Sequence, residues 1–205
     1  MEEKINAVTH GVGTGLALIG LMALLASVYA RNDIWCITSA VVYGSSLVLL
    51  YLASTLYHSF TGRKVKQVFQ IIDHAAIYVL IAGTYTPFLL ILLRGTFGWI
   101  MFGVIWGMAI AGIAFQTVFA QRFKILSTIG YLVMGWMIVF LANPLFEALS
   151  TPGLVWLVAG GVLYSAGTVF FLSGKVPFNH AIWHLFVLAG SLAHFVTVYF
   201  YVLPG

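Results

Sequence analysis

Long apolar runs separated by short polar breaks organise this chain. Seven such stretches fall at approximately 9–30, 34–57, 70–93, 97–119, 125–142, 153–173 and 178–203. Each is near the roughly 20 residues a helix needs to cross a hydrocarbon core, and the connections are too short to hold a soluble domain. The pattern predicts an all-α, polytopic membrane protein, a seven-transmembrane helix bundle forming one domain over residues 1–205, because backbone polar groups in lipid must be satisfied inside each helix. The small-residue pairs Gly11-x-x-x-Gly15 and Gly103-x-x-x-Gly107 predict close helix approaches within the bundle. Pro87 predicts a kink in the third helix, and Pro144 a position just past the end of the fifth.

Composition agrees with the pattern: 62% of the 205 residues are hydrophobic and only 7% charged. That excludes a soluble globular domain. The net charge of +4 carries no sign of nucleic-acid binding, since the cations sit in loops, where they set orientation. Lys4, Arg63, Lys64, Lys66, Arg122, Lys124 and Lys175 fall on one side, against Arg31 and Arg94 with the acids Asp33 and Glu147 on the other. The excess places the N-terminus in the cytoplasm and the C-terminus outside the cell membrane. The lone Cys36 excludes an internal disulfide. Val28-Tyr29-Ala30 loosely resembles a cleavage site, but Met1-Glu2-Glu3-Lys4 is not a basic leader, so the first helix is read as retained. Membrane lipids are the expected partners, as substrate or ligand, and the oligomeric state is left open.

Orientation gives the polar residues a common address. His10 near the start of helix 1, Ser54 and His58 at the end of helix 2, Asp73 and His74 early in helix 3, and His180 and His184 early in helix 7 all fall at the cytoplasmic level. Five of the six histidines thus share one layer. His194 lies ten residues beyond His184, about 15 Å deeper on a helix, and reads as a packing or hydrogen-bonding residue. Residues four apart share a helix face, so His180 and His184 can grip one transition metal, zinc being the commonest guest. The alternative is a pair of interfacial histidines bonded to neighbouring helices. Ionisable groups at membrane depth are expensive and mark functional sites.

His58, His180 and His184 together offer three nitrogens from two helices. Three protein ligands with water in the fourth position is the pattern of a catalytic zinc site. Asp73 could orient that water and take its proton, while the metal lowers the water's pKa towards ~7. Ser54, one turn before His58, is placed to bond Asp73, the water or a substrate carbonyl, or else its own helix carbonyl. His74 points to another part of helix 3 and reads as an interfacial or supporting residue. Glu3, Asn6 and His10 share a face if helix 1 begins that early. Glu3 then either accepts a hydrogen bond from a ligating imidazole or complements the helix dipole. His10 is a weaker candidate for a direct ligand.

The chain resembles the hemolysin III family, bacterial relatives of the progestin and adiponectin receptors, over essentially its whole length. The resemblance rests on Glu3-x-x-Asn6-x-x-Thr9-His10, Ser54-x-x-x-His58, Asp73 opening helix 3 and His180-x-x-x-His184, in that order and placement. It implies Zn²⁺ on His58, His180 and His184, with Ser54 and Asp73 around the metal's water, and no expected member of the set is missing. The wider superfamily includes alkaline ceramidases, which hydrolyse a lipid amide. Three functions follow as expectations: a zinc-dependent hydrolase of an amide or ester bond in a membrane lipid; a membrane-homeostasis sensor or regulator clasped by a structural zinc; and a hemolysin-type pore. The pore has the least physical support, since no polar stripe runs through any span and so apolar a chain has no evident water-soluble state.

Overall fold

Every regular element among the described residues, 1–119 and 123–204 of a computed structural model, is helical. Seven helices are long and apolar enough to cross a membrane: α1 Glu2–Val28, α2 Ile34–Ser59, α3 Arg63–Leu92, α4 Thr96–Phe119, α5 Lys124–Ala148, α6 Thr151–Leu172 and α7 Asn179–Val202. The chain is a multi-pass membrane protein. α1 and α3 begin earlier than the apolar runs near residues 9 and 70, because their polar first turns, built from Glu, Lys, Arg and Gln, are good helix formers that carry the helix beyond the apolar span. Asp33 caps α2, its carboxylate accepting from the Trp35 N–H at 2.8 Å.

α1 packs on α2, α2 on α3, α3 on α4 and α6 on α7, and α7 returns against α1. α3 is the most enclosed: 67% of its apolar window is buried, against 22% for α1 and for α4. Asp73 and His74 therefore ride on the innermost helix. The bundle has two chemically distinct ends. At one, Lys66 pairs with Glu3 at 2.9 Å; at the other, Arg94 faces Asp33 at 3.9 Å and Arg31 donates to the Leu203 carbonyl. Arg122, counted among the cations of the first end, lies outside the described residues.

Three local expectations meet a different outcome or a fuller one. α3 passes through Pro87 and widens into a π-helical turn at Phe88–Leu92, which accommodates the proline's missing N–H. Pro144 does not follow the fifth helix. The span continues through a 3₁₀ stretch, Met137–Leu141, into the short helical turn Ala142–Ala148, and Pro144 sits in that turn's first residues, where an N–H would have no intrahelical partner. The two Gly-x-x-x-Gly pairs are not the contact faces. A methyl group on Gly15, Gly103 or Gly107 would meet nothing within 4 Å, and one on Gly11 only the Thr55 methyl at 3.7 Å. Close approach falls instead at Gly13, against the Tyr51 ring, and at Gly112, against Tyr78. A motif names small residues, but which face turns inward is decided by the neighbouring helices.

Candidate metal centre

α2 delivers His58 in its last turn, and α7 delivers His180 and His184 in its first two. The turn that launches α7 is held tightly. Asn179 Nδ2 donates to the Phe170 carbonyl at 3.2 Å and to that of Ser173, while Phe178 adopts a left-handed backbone at φ 56°, a conformation that costs about 1–2 kcal/mol for a residue with a Cβ. One nitrogen from each of His58, His180 and His184 lies within 4.8 Å of the others, within reach of a single ion. The rings stand 4.6 to 5.2 Å apart between centroids.

The hydrogen bonds around this cluster decide which nitrogens are free. His58 Nδ1 lies 2.9 Å from Glu3 Oε2, a carboxylate oxygen also bonded by Lys66. A carboxylate only accepts, so His58 donates from Nδ1 and keeps its lone pair on Nε2. Thr9 Oγ1 donates its one proton to the Asn6 carbonyl at 2.9 Å and lies 3.1 Å from His184 Nδ1. His184 must then donate to Thr9, which leaves its Nε2 lone pair free as well. The Nε2 atoms of His58 and His180 are buried with no hydrogen-bond partner among the described residues. Buried polar atoms without partners are expensive. His58 and His184, bonded at Nδ1 with the Nε2 lone pair left for a ligand, and His180, whose buried Nε2 has no partner among the described residues, form a donor set a transition metal could take, so these three residues fit a metal ion.

The other sequence candidates surround this cluster in unequal ways. Glu3 holds the His58 ring and makes no helix-capping bond. Asn6 acts through its backbone carbonyl, and its buried side-chain oxygen has no partner among the described residues. His10 stacks on His184 at 3.5 Å between ring centroids, nearly parallel, and both its ring nitrogens are buried. Ser54 is buried and its hydroxyl makes no bond back to its own helix. Ser54 and Asp73 line a cavity of about 300 Å³ together with His10, His180 and His184. That volume is at the lower end of small-molecule sites, and the cavity runs inward among apolar side chains as far as Leu145 and Leu154. A second, more polar recess at the same end is lined by Glu2, Glu3, His58, Gln70 and Lys124. His194 stands apart, donating from Nε2 to the Leu157 carbonyl at 3.1 Å. Sequence reasoning gave Thr9 and Lys66 no part in holding the cluster; 175 positions separate Thr9 from His184, and no periodicity reports such a contact.

Fold and site define a class: a seven-helix membrane protein with a buried three-histidine cluster that could hold a metal ion. Residues 1–195 match the Haemolysin-III related family, and the chain belongs to it. It is 52% identical over 203 residues to Hemolysin-3 of Bacillus cereus, covering 99% of this chain and 93% of that one. It is 50% identical over 200 residues to the Hemolysin-3 homolog of Bacillus subtilis (strain 168), covering 98% and 94%. The human Monocyte to macrophage differentiation factor is 32% identical over 206 residues, covering 98% of this chain and 84% of its own.

Proposed function

We propose that this protein is a zinc-dependent hydrolase of an amide or ester bond in a membrane lipid, with zinc on His58, His180 and His184. The observation that carries this reading is the joining of an open three-nitrogen set to an apolar cavity that also holds a buried carboxylate, Asp73, and a buried hydroxyl, Ser54. A purely structural zinc is usually closed by four protein ligands. Bound there, zinc would supply Lewis acidity and activate water for attack at neutral pH. The chain's own residues do the remaining work. Asp73 accepts the proton of the attacking water and returns it to the leaving amine or alcohol. Ser54 orients that water by hydrogen bonding. The apolar cavity takes the acyl chain and keeps bulk water from the reacting bond. Glu3 and Thr9 hold the rings of His58 and His184. The excess of Lys and Arg at the histidine end supports a cytoplasmic position for it in the cell membrane, at headgroup depth.

The test is metal analysis and turnover of purified protein in mild detergent, with long-chain N-acyl amides and acyl esters as substrates. Wild type should carry about one zinc per chain and His184→Ala should carry little. Asp73→Asn should keep its zinc and lose roughly 10²–10⁴ in rate. Turnover that persists without zinc, or an Asp73→Asn variant at wild-type rate, sinks the hydrolase reading.

A further inference from the structure

A second buried polar chain, separate from the three-histidine cluster, ends on His74. Ser127 Oγ donates to Gln116 Oε1 at 2.9 Å, and Gln116 Nε2 lies 3.0 Å from His74 Nδ1. Gln116 is completely buried in α4. With its carbonyl oxygen taken by Ser127, the amide presents only N–H to His74. His74 Nδ1 is therefore an acceptor, the ring is neutral, and its one proton sits on Nε2. Tyr131 steadies the backbone here, its O–H donating to the His74 carbonyl at 3.2 Å. A buried amide–hydroxyl pair at membrane depth is costly to maintain, and packing alone gives no reason for one.

Position supplies a reason. Among the described residues, only His74, Phe171 and His180 line both the apolar cavity and the polar recess. The Phe171 ring stands 6.2 Å from His74 and 5.9 Å from His180, between centroids. The two imidazoles thus flank one aromatic ring at the neck between recess and cavity. A lipid with its acyl chain in the cavity and its headgroup in the recess has its acyl linkage at this neck. A neutral donor suits the place, because it polarises a carbonyl without the cost of a buried charge.

We propose that His74 binds the carbonyl oxygen of the acyl linkage through Nε2–H, and that Gln116 and Ser127 are positioning residues that set its tautomer. The catalytic consequence rests on the hydrolase reading; the recognition of an acyl carbonyl does not. The experiment uses full-length, zinc-loaded protein in mild detergent, with dodecanohydroxamate as probe and calorimetry as readout. His74→Phe should weaken probe binding at least about tenfold, in keeping with the loss of one buried hydrogen bond. His74→Gln should recover part of it, Gln116→Leu should fall between, and all should keep wild-type zinc content. With an amide or ester substrate, His74→Phe should lose about 10²–10³ in kcat, as when one oxyanion donor is removed, with KM changed far less. ¹⁵N NMR of histidine-labelled wild type reads the tautomer directly, whatever the variants' folding. Nε2–H on His74 supports the assignment, and Nδ1–H overturns it. Equal probe binding by wild type and His74→Phe, no probe binding by wild type, or loss of zinc from His74→Phe also overturns it. Probe binding that His74→Phe abolishes, in a protein that turns over no amide or ester, upholds His74 and defeats the hydrolase reading.

Discussion

Thr9 has a single proton to give, and the Asn6 carbonyl takes it, so the Thr9 oxygen is left to accept from His184. One threonine in α1 thereby selects the protonation form of a histidine in α7. Thr9→Val keeps the shape of the side chain and removes this acceptor. Zinc affinity should fall about 10–100-fold, as is usual when a ligand loses its outer partner, and competition against a fluorescent chelator measures it. A valine variant that holds zinc as tightly as wild type would show that packing alone orients His184. The ligand candidates themselves were legible in the sequence, because His180 and His184 are four apart and Ser54 and His58 repeat that spacing. Their partners were not. Glu3 offered two readings, and only the meeting of α1 with α2 turns its carboxylate onto His58.

The number of spans follows from the apolar runs, since lipid admits few other ways to satisfy a backbone. Which face of each helix turns inward does not follow from them. Gly107 belongs to a Gly-x-x-x-Gly pair yet has open space over its Cα, whereas Gly112, outside any such pair, packs against Tyr78. Gly112→Ala should therefore lower stability by about 1–3 kcal/mol through overpacking. Gly107→Ala should be neutral or gain up to about 1 kcal/mol from helix propensity. Unfolding midpoints in mild detergent compare the two, and equal effects would mean that α4 packs through a different face. Pro144 teaches the same lesson. It sits in the first turn of Ala142–Ala148, where its missing N–H costs no intrahelical bond, and the 3₁₀ stretch before it carries the span onward instead of ending it.

At the scale of the whole molecule, the candidate ligands join α2 to α7, elements far apart in the chain that a shared ion would tie together. Anything that binds only the folded state stabilises it, by about 2.7 kcal/mol at a free concentration 100 times Kd. Chelation should lower the thermal unfolding midpoint of wild type and leave that of His58→Ala nearly unmoved. A wild-type midpoint insensitive to chelator would separate the histidine cluster from the fold's stability. The sequence by itself determined the class of molecule and the count of spans, and it singled out the end of the bundle that collects the histidines and three candidate nitrogen donors. Those properties depend on hydrophobic runs, charge asymmetry and spacing within one helix, all of them local along the chain. Only the tertiary structure decided which ring nitrogens are free, that Thr9 and Glu3 hold the rings, that His10 stacks on His184, and that His74 stands at the neck of a cavity with its tautomer set from α4 and α5. Those depend on contacts between helices, and a hydrogen bond across 175 residues leaves no periodic trace in the order of the amino acids.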